Sequence, residues 1–395
     1  MEAVAGGLVW CGASMKICHV ITRLILGGAQ ENTLLTCEGL HRRGHEVTLV
    51  TGPPRGPEGE LLQRARAGGY RVEVVPAMRR EIHPLRDAVS YRTLKRLLRE
   101  IAPDVMHSHS SKAGILARRA ADRLGGMKIV HTIHGLPFHR YEAGWRNRMY
   151  ISLERRAGRR TDAIVSVADA MTRQALAAGV GRPEQYTTIR SGMEIERFVT
   201  RPHEAETFRA SLGLPDEAVL CTQVSRIAEL KGHADILEAD ALLNDPRVHF
   251  CFVGDGALRG EIQRRIAAGG RGERYHLTGL LSPERIPAVL HASDVLIHAS
   301  YREGLARTLP QAMLAGRPVV SYDVDGAGEV VDDETGVLVT AGDVAGLARA
   351  IGQLADDADQ RERMGAVGRE RARAMFSHEA MVDRIERLYR SLLEE

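Results

Sequence analysis

The stretch Ser300-Tyr-Arg-Glu-Gly-Leu-Ala-Arg-Thr-Leu-Pro-Gln-Ala-Met-Leu-Ala-Gly-Arg-Pro318 lies between two apolar runs, 295–297 and 319–320. Pro310 fits only the first turn of a helix, and Gly316 and Pro318 follow the last apolar residues, as they do where a helix ends. The stretch therefore predicts a strand, a loop, a short helix that begins near Arg307, and a second strand. The amide end of that helix points at the loop and attracts anions.

Two polar residues of this stretch are eight positions apart, Glu303 on the predicted loop and Gln311 on the predicted helix. This spacing lets both side chains face one cleft from different depths, beside the amide end of the helix. One carboxylate and one amide there could form hydrogen bonds with the hydroxyl groups of a sugar. For these two residues alone, a parallel strand–helix–strand unit with an accidental loop glutamate is an equally good interpretation.

The bulk composition limits the class of protein. A chain of 395 residues is long for one hydrophobic core and comfortable for two domains. With 44% apolar and 27% charged residues, neither disorder nor a fibrous repeat is indicated. The 54 basic and 51 acidic residues give a net charge of only +3, so no nucleic-acid partner is predicted.

The cysteines and the apolar runs indicate in which cellular compartment the protein is found. Five cysteines without a CxxC pair, most of them within apolar runs, fit buried free thiols in a reducing compartment. No apolar stretch approaches a membrane span, and residues 1–14 lack the features of a signal peptide. We expect a cytoplasmic or peripheral protein. Because Met15 directly precedes the first clear strand, residues 1–14 are expected to be a disordered leader outside the fold.

The first half of the chain opens with an apolar strand, 16–22, a loop that contains Gly27 and Gly28, an amphipathic helix, 31–43, and a second strand, 46–50. This order predicts a doubly wound parallel sheet, with the glycine loop at the carboxyl edge where such sheets bind ligands. Most Gly-Gly loops are only tight turns. The same alternation restarts at residues 218–224, so a second domain of the same class is predicted.

Histidines follow two consecutive strands of the first half. His107 and His109 come at the end of one strand, and His134 at the end of the next. An isolated histidine is usually a satisfied polar residue, but clusters at two adjacent strand ends favour a ligand site. A zinc site is disfavoured, because no cysteine or carboxylate shows metal-ligand spacing with them.

In the second half, Arg226 and Lys231 flank the turn between a strand and a helix. Two cations on such a loop suit a diphosphate, since arginine binds bidentately and lysine supplies a point charge. Most such pairs are only surface residues. Gly254 follows the next strand.

Residues 78–99 form a cationic segment with apolar positions such as Leu94, Leu97 and Leu98. Two interpretations stay open for it: a solvated helix face, or docking on an anionic membrane surface near a lipid-linked acceptor. Its cations are Arg79, Arg80, Arg86, Arg92, Lys95, Arg96 and Arg99.

Together, the glycine loop, the two histidine edges, the Arg and Lys pair and the Glu303 segment resemble glycosyltransferase family 4, retaining nucleotide-sugar transferases of GT-B fold, and in particular its members that build bacterial polysaccharides and lipid-linked glycans. The resemblance implies an α/β protein with two Rossmann-like doubly wound parallel-sheet domains that face a central cleft. Residues 15–197 would form the acceptor-side domain and 198–376 the nucleotide-sugar-binding domain. Residues 377–395 would form a helix that crosses back to the first domain. The helical pattern itself runs from 359 to 390 without a break.

The implied activity is transfer of a hexosyl or N-acetylhexosaminyl group, with retention, from a nucleotide-diphosphate donor, with UDP as the first choice, to a hydroxyl of a glycan or lipid-linked acceptor. Neither a cofactor nor a metal is implied, because Arg226 and Lys231 supply the charge that the leaving diphosphate needs. By resemblance, Glu303 holds the sugar, Gln311 the ribose and His134 the sugar near its reacting face, with His109 as a companion. Further donor contacts are implied at Gly27, Gly28, Gly254, Leu281, Gly304, Leu305 and Ala306.

The chain departs from the family pattern in places. Gln311 stands where the family has a second glutamate, and Ser191 replaces the hinge asparagine. Three other activities therefore remain possible: a nucleotide-sugar epimerase, a glycan phosphorylase, and a donor-binding subunit with little activity of its own.

Overall fold

The computed structural model of the protein describes residues 13–53 and 59–395. Most of the expected leader, residues 1–14, lies outside the described residues, as do Cys11 and part of the Gly- and Pro-rich loop at 52–60. Among the described residues, every helix is too short or too polar to cross a membrane.

The first half of the chain forms a sheet of seven parallel strands in the order β3-β2-β1-β4-β5-β6-β7. Its strands are β1 (Lys16–Ile21), β2 (Glu46–Thr51), β3 (Arg71–Val74), β4 (Val105–His109), β5 (Lys128–Ile133), β6 (Ala163–Ser166) and β7 (Tyr186–Thr188). The helices between them are α1 (Gly28–Arg42), α2 (Leu62–Ala67), α3 (Pro84–Ile101), α4 (Ser111–Leu124), α5 (Gly144–Gly158) and α6 (Asp169–Ala177).

The second half repeats this architecture with six parallel strands in the order β10-β9-β8-β11-β12-β13. Its strands are β8 (Val219–Val224), β9 (Val248–Val253), β10 (Tyr275–Gly279), β11 (Val295–His298), β12 (Val319–Tyr322) and β13 (Gly336–Val339). Its helices are α7 (Ile195–Val199), α8 (Glu204–Ser211), α9 (His233–Leu243), α10 (Arg259–Ala268), α11 (Ile286–Ala292), α12 (Thr308–Leu314), α13 (Val344–Asp356), α14 (Ala358–Met375) and α15 (His378–Glu394).

Sequence chemistry accounts for these elements. The central strands are apolar on both faces because helices cover both faces of a parallel sheet, and every residue of β9 is buried. Pro84 occupies the first turn of α3, where its missing N–H costs nothing. Asp343 caps α13 by accepting a hydrogen bond from the Gly346 amide at 2.8 Å. The predicted α/β class, with two doubly wound parallel sheets, is thus confirmed.

The prediction of one helix from 359 to 390 was wrong. The chain breaks between α14 and α15, where Ser377 caps α15 by accepting a hydrogen bond from the Ala380 amide at 3.3 Å. The chain passes from the first half to the second near Met193 and returns at this break. Hydrogen bonds join the two segments: the Met193 amide donates to the Phe376 carbonyl at 2.8 Å, and the His378 amide donates to the Met193 carbonyl at 3.2 Å. The two crossings therefore lie side by side.

Helix α15 completes the core of the first half of the chain. It packs on α1, and its apolar face is buried among residues of β1 and β2. The residues that it contributes are Met381, Val382, Ile385, Tyr389 and Leu392. The segment between α7 and α8 is short, because α7 ends at Val199 and α8 begins at Glu204.

Candidate active site

A cleft runs between the carboxyl edges of the two sheets and is lined by loops from both halves of the chain. The structure places every site residue predicted from the sequence on its walls except His109, which is buried beneath His134. The predicted residues on the walls are Gly27, Gly28, His134, Arg226, Lys231, Gly254, Leu281, Glu303, Gly304, Leu305, Ala306 and Gln311.

An ion pair joins the two main motifs of the second half. The Lys231 ammonium donates to the Glu303 carboxylate and also lies 3.3 Å from the Ser300 hydroxyl, which donates to the same carboxylate oxygen at 2.8 Å. His298 Nε2 lies 3.3 Å from that oxygen. Burial by itself would raise the pKa of the Glu303 carboxyl, but Lys231 and His298 outweigh it and hold this pKa well below its usual range. Glu303 is therefore a carboxylate at neutral pH.

The loop after β8 is held against the loop after β9. The Ser225 amide donates to the Val253 carbonyl at 3.0 Å, and the Ile227 amide donates to the Asp255 carbonyl at 3.0 Å. Gly254 has a φ of +138°, and a Cβ there would lie 2.1 Å from the Ser225 carbonyl oxygen. Only glycine lets the two loops come this close together, and their contact places Arg226 on the wall of the cleft.

The Glu303 loop touches the first half of the chain. Gly304 packs so closely on His134 that a Cβ would lie 2.0 Å from its carbonyl oxygen, and Arg302 donates a hydrogen bond to the Leu136 carbonyl. The Glu303 amide donates to Asp325 Oδ2 at 2.7 Å. These contacts hold Glu303 and His134 on facing walls of one site.

The structure places Gln311 on α12, 8% exposed, at the same cleft. Pro310 lies in the first turns of this helix, as expected, and the helix begins at Thr308, one residue after the predicted start.

Arg307 was missed as a functional residue, although it directly follows the Glu303 loop. Its guanidinium donates to the Gly192 carbonyl at 2.9 Å and pairs with Glu31 of α1 at 3.2 Å. A Cβ on Gly28 would lie 2.7 Å from Arg307 Cδ, so the glycine loop makes room for this side chain. The only local signal was its place beside the motif, because Glu31 is 276 residues away.

Other charged residues of the cleft were not predicted either. The cations among them are Arg23, Arg64, Arg80 and Arg197, and the carboxylates are Glu31, Glu194 and Asp255. Glu194 pairs with Arg197 at 3.4 Å, and Asp255 pairs with Arg259 at 2.9 Å. The cleft thus carries more positive than negative side chains, which suits an anionic ligand.

His134 and His109 lie one above the other, with rings 5.4 Å apart and His109 Nδ1 3.1 Å from His134 Nε2. Burial, helped by the Arg307 charge, lowers the pKa of His134 to about 3. Burial also lowers the pKa of His109 well below its usual value. Both rings are neutral at physiological pH.

Among the described residues, one group of side chains brings three potential metal ligands together: the ring nitrogens of His19, His107 and His109 lie within 4.8 Å of one another. His19 lies inside β1, where an apolar strand hid it from sequence reasoning. A second possible metal site is the Asp-x-Asp pair Asp323 and Asp325, which follows β12 and was overlooked in the sequence. The Asp325 carboxylate is held by the Glu303 amide and, at 2.9 Å, by the Gln174 side chain.

Family models match both halves of the chain. One, described as a glycosyl transferase 4-like domain, matches residues 27–192, and the other, described as glycosyl transferases group 1, matches residues 204–371.

Characterised relatives match most of the chain. A 2-deoxystreptamine N-acetyl-D-glucosaminyltransferase of Streptomyces fradiae is 31% identical over 86% of this chain and 85% of its own length. A UDP-Gal:alpha-D-GlcNAc-diphosphoundecaprenol alpha-1,3-galactosyltransferase of Escherichia coli is 27% identical over 87% and 89%. Among solved structures, Anabaena Alr3699/HepE in complex with UDP and glucose is 22% identical, covers 95% of this chain and 100% of its own, and has a TM-score of 0.82. The chain therefore belongs to glycosyltransferase family 4, with the two-domain GT-B fold.

Proposed function

We propose that the protein is a retaining glycosyltransferase that moves a hexosyl or N-acetylhexosaminyl group from a UDP-sugar to a hydroxyl of a glycan or lipid-linked acceptor. The observation that carries this proposal is the pairing of Lys231 with Glu303 beside Arg226 in the cleft. A cation for the diphosphate and a carboxylate for the sugar hydroxyls are thereby held at adjacent positions. The UDP complex of the Anabaena structure and the UDP-galactose donor named for the Escherichia coli relative support the choice of nucleotide.

The chemistry needs fixed positive charge where the bond breaks. As the glycosidic bond to the diphosphate lengthens, negative charge develops on the leaving phosphate oxygen, and preorganised cations stabilise it without reorganisation. Arg226 and Lys231 supply that charge in the proposal. Glu303, ionised and fixed by Ser300, accepts hydrogen bonds from sugar hydroxyls, and Gln311 binds the ribose.

We propose further that the reaction needs no metal ion. The carboxylates on the described walls of the cleft are already engaged by protein cations: Glu31 by Arg307, Glu194 by Arg197, Asp255 by Arg259 and Glu303 by Lys231. A divalent cation prefers several free oxygen ligands at one point, and such a set would have to be released from these pairs first.

The test is release of free nucleotide from a panel of UDP- and GDP-sugars, with and without EDTA. A hydroxyl acceptor should be required, and activity should survive EDTA. Product formation without an acceptor would identify an epimerase instead, and a requirement for inorganic phosphate would identify a phosphorylase. Donor binding without turnover on any acceptor would identify a binding subunit. Loss in EDTA with rescue by Mg²⁺ or Mn²⁺ would refute metal independence.

The proposal that the acceptor is lipid-linked rests on two exposed helix faces in the first half of the chain, one on α3 and one on α5. The leucines named in the basic segment, Leu94, Leu97 and Leu98, are buried in the core and do not face outward. Instead, Leu85 and Val89, 76% and 49% exposed, begin an outward stripe of α3. The stripe continues with Arg92 and Arg96.

Helix α5 repeats this pattern. Trp145, 62% exposed, begins its outward stripe, and exposed arginines follow: Arg148, Arg156 and Arg159. Both stripes have their apolar end at the carboxyl edge of the sheet, the edge of the cleft, because α3 follows β3 and α5 follows β5. Apolar and aromatic side chains that enter a bilayer interface, with arginines behind them at the headgroups, are what a peripheral protein needs on an anionic membrane. We therefore propose binding at the cytoplasmic face of the inner membrane, near a lipid-linked acceptor.

Sedimentation with vesicles tests this surface. The wild type should bind vesicles that contain phosphatidylglycerol and not vesicles of phosphatidylcholine alone. Leu85→Glu with Trp145→Glu should weaken binding by at least roughly tenfold, since each apolar side chain contributes about 1.5–3 kcal/mol when fully buried. Leu242→Glu is a matched control, because Leu242 is 62% exposed on α9 in the other half. Equal binding of all three proteins would refute the proposed surface.

A further inference from the structure

A line of buried imidazoles leads from the interior of the first sheet to the cleft. His19 on β1 and His109 on neighbouring β4 are almost completely buried, at 0% and 1% exposure, and His134 follows β5 on the wall of the cleft. His19 Nδ1 lies 2.9 Å from His109 Nε2, and His109 Nδ1 lies 3.1 Å from His134 Nε2. Both nitrogens of the middle ring are therefore used, and each contact needs one proton.

All three rings are uncharged. Burial lowers the pKa of His19 to about 3, and it acts in the same direction on His109 and His134. Each neutral ring carries one proton, so the protons of the line can point in only two ways. Either every ring donates toward the cleft, or every ring donates toward the interior.

The inner end of the line decides between them. His19 Nε2 is buried and has no hydrogen-bond partner among the described residues. If the rings donated toward the interior, this nitrogen would carry a buried N–H without an acceptor, which native structures avoid more strictly than an unused acceptor. His19 therefore carries its proton on Nδ1, and this choice passes along the line to His109 and His134.

We propose that His19 and His109 are positioning residues that hold His134 as its Nδ1–H tautomer, so that it meets its ligand in the cleft as a hydrogen-bond donor. This inference rests on the proposed function for the identity of that ligand, a hydroxyl oxygen of the donor sugar. A neutral donor can bind this oxygen without the desolvation cost of an imidazolium. Neither His19 nor His109 needs to touch the substrate.

The competing use of this cluster is a metal ion held by His19, His107 and His109. His107 argues against it, because both of its nitrogens have partners: Nδ1 lies 2.5 Å from the Tyr389 hydroxyl, and Nε2 lies 2.7 Å from the Thr132 hydroxyl. Because each histidine ligates through one nitrogen, an ion would have to break one of these two contacts and one of the two contacts that His109 makes. His107 therefore distinguishes the two interpretations, since a metal site needs it and the relay does not.

The tautomer can be read directly from long-range ¹H–¹⁵N spectra of the full chain labelled with [¹⁵N]histidine, with the His134 signals assigned by their loss in His134→Gln. We expect protonated Nδ1 and unprotonated Nε2 in the wild type. His19→Asp places a carboxylate oxygen, which accepts and cannot donate while ionised, where Nδ1 was, so every ring should turn round and His134 should carry its proton on Nε2. His19→Asn places an amide N–H where Nδ1 was and should restore the wild-type pattern.

Kinetics give a second readout. His19→Asp should lower kcat/KM about tenfold, the scale of one hydrogen bond, and His19→Asn should stay within about twofold of the wild type. His107→Leu is the control within the cluster, and His131→Leu, also buried but bonded to Ser108, replaces it if the first does not fold. Neither control should change the His134 tautomer.

Three results would overturn the relay: an Nε2–H tautomer of His134 in the wild type, an unchanged tautomer in His19→Asp, or a stoichiometric metal ion that His107→Leu removes. The spectra need no substrate. If no nucleotide sugar is turned over while the tautomer behaves as expected, the proposed function fails and the relay stands.

Discussion

The Glu329 carboxylate of the second half of the chain accepts a hydrogen bond from the Ala170 amide at the start of α6 in the first half, at 2.7 Å. It also accepts one from the Asp169 amide at 2.8 Å and lies 3.4 Å from Arg190. A carboxylate at a helix N-terminus satisfies amides that would otherwise lack partners and interacts favourably with the helix dipole. This cap joins the two halves of the cleft.

We therefore expect Glu329→Ala to favour separation of the two halves. Loss of a cap costs about 1 kcal/mol, which corresponds to roughly a fivefold shift toward an open form. Small-angle scattering should show a larger radius of gyration for the variant in the absence of ligand, and the KM for the donor should rise. Glu334→Ala is the control, since Glu334 pairs with Arg371 of its own half at 2.7 Å. Equal scattering curves for both variants would contradict the prediction.

Two cations of the cleft, Arg226 and Lys231, should matter for turnover more than for folding. Arg226→Ala should lower kcat about a hundredfold, near 3 kcal/mol, because the charge is needed mainly as the bond breaks. Steady-state rates measured beside melting temperatures check this. Wild-type turnover in this variant would remove the diphosphate assignment.

Lys231→Ala should show the same loss of turnover but also a lower melting temperature, because it leaves the Glu303 carboxylate without its main partner. The double variant Lys231→Ala with Glu303→Gln should recover stability without recovering turnover. Recovery of turnover in the double variant would show that Lys231 serves only to neutralise Glu303.

Gln311 should set the strength of nucleotide binding. A carboxylate there would accept charge-assisted hydrogen bonds from the ribose, worth roughly 1.5–3 kcal/mol, against roughly 0.5–1.5 for the neutral amide. We expect Gln311→Glu to tighten binding of free UDP by up to about tenfold and Gln311→Ala to weaken it, with a smaller change in turnover. Calorimetric titration of the three proteins measures both effects. If the dissociation constant is the same in all three, Gln311 does not contact the ribose.

The buried histidines of the first sheet should make folding sensitive to mild acid. Burial lowers the pKa of each of these rings below the value near 6.5 that it has in an unfolded chain. Above pH 6.5 the rings are neutral in both states, and their contribution to stability is complete. As the pH falls below 6.5, the unfolded chain binds protons that the native rings do not, so stability is lost. The rings are those of His19, His107, His109, His131 and His134.

Urea unfolding between pH 7.5 and 5 measures this loss. Each such histidine contributes a slope of at most about 1.4 kcal/mol per pH unit, so His131→Leu should reduce the wild-type slope by up to that amount. His203→Asn, at an exposed position, is the control. A free energy of unfolding that does not change across this range would show that these rings become protonated in the native state.

Local patterns predicted the fold, and together with the family resemblance they predicted twelve residues that line the cleft. Lys231 and Glu303 each follow an apolar run of the second half, and the carboxyl ends of parallel strands meet at one edge, so these two could be placed at one site without coordinates. Their spacing along the chain was enough, because each loop is short and its strand fixes where it begins. That His134 of the first half faces Lys231 and Glu303 was implied by the family resemblance alone.

Contacts between distant segments could not be predicted in this way. Arg307 with Glu31 and Glu329 with Ala170 depend on how the two halves face each other, which no local pattern encodes. His19 lies in the middle of a strand, where a polar residue is easily taken for an isolated exception. The break at Ser377 was missed because apolar residues continue on both sides of it.

Helix α15 has a consequence for how the protein is made. Residues 378–394 supply Tyr389 and its apolar neighbours to the core that β1 and α1 begin. Although a domain at the start of a chain commonly folds first on the ribosome, this one lacks part of its interior until nearly the whole second half has been translated. Its incomplete core is therefore exposed to chaperones during synthesis. We expect the first domain to complete its core only after residues 378–394 have left the ribosome.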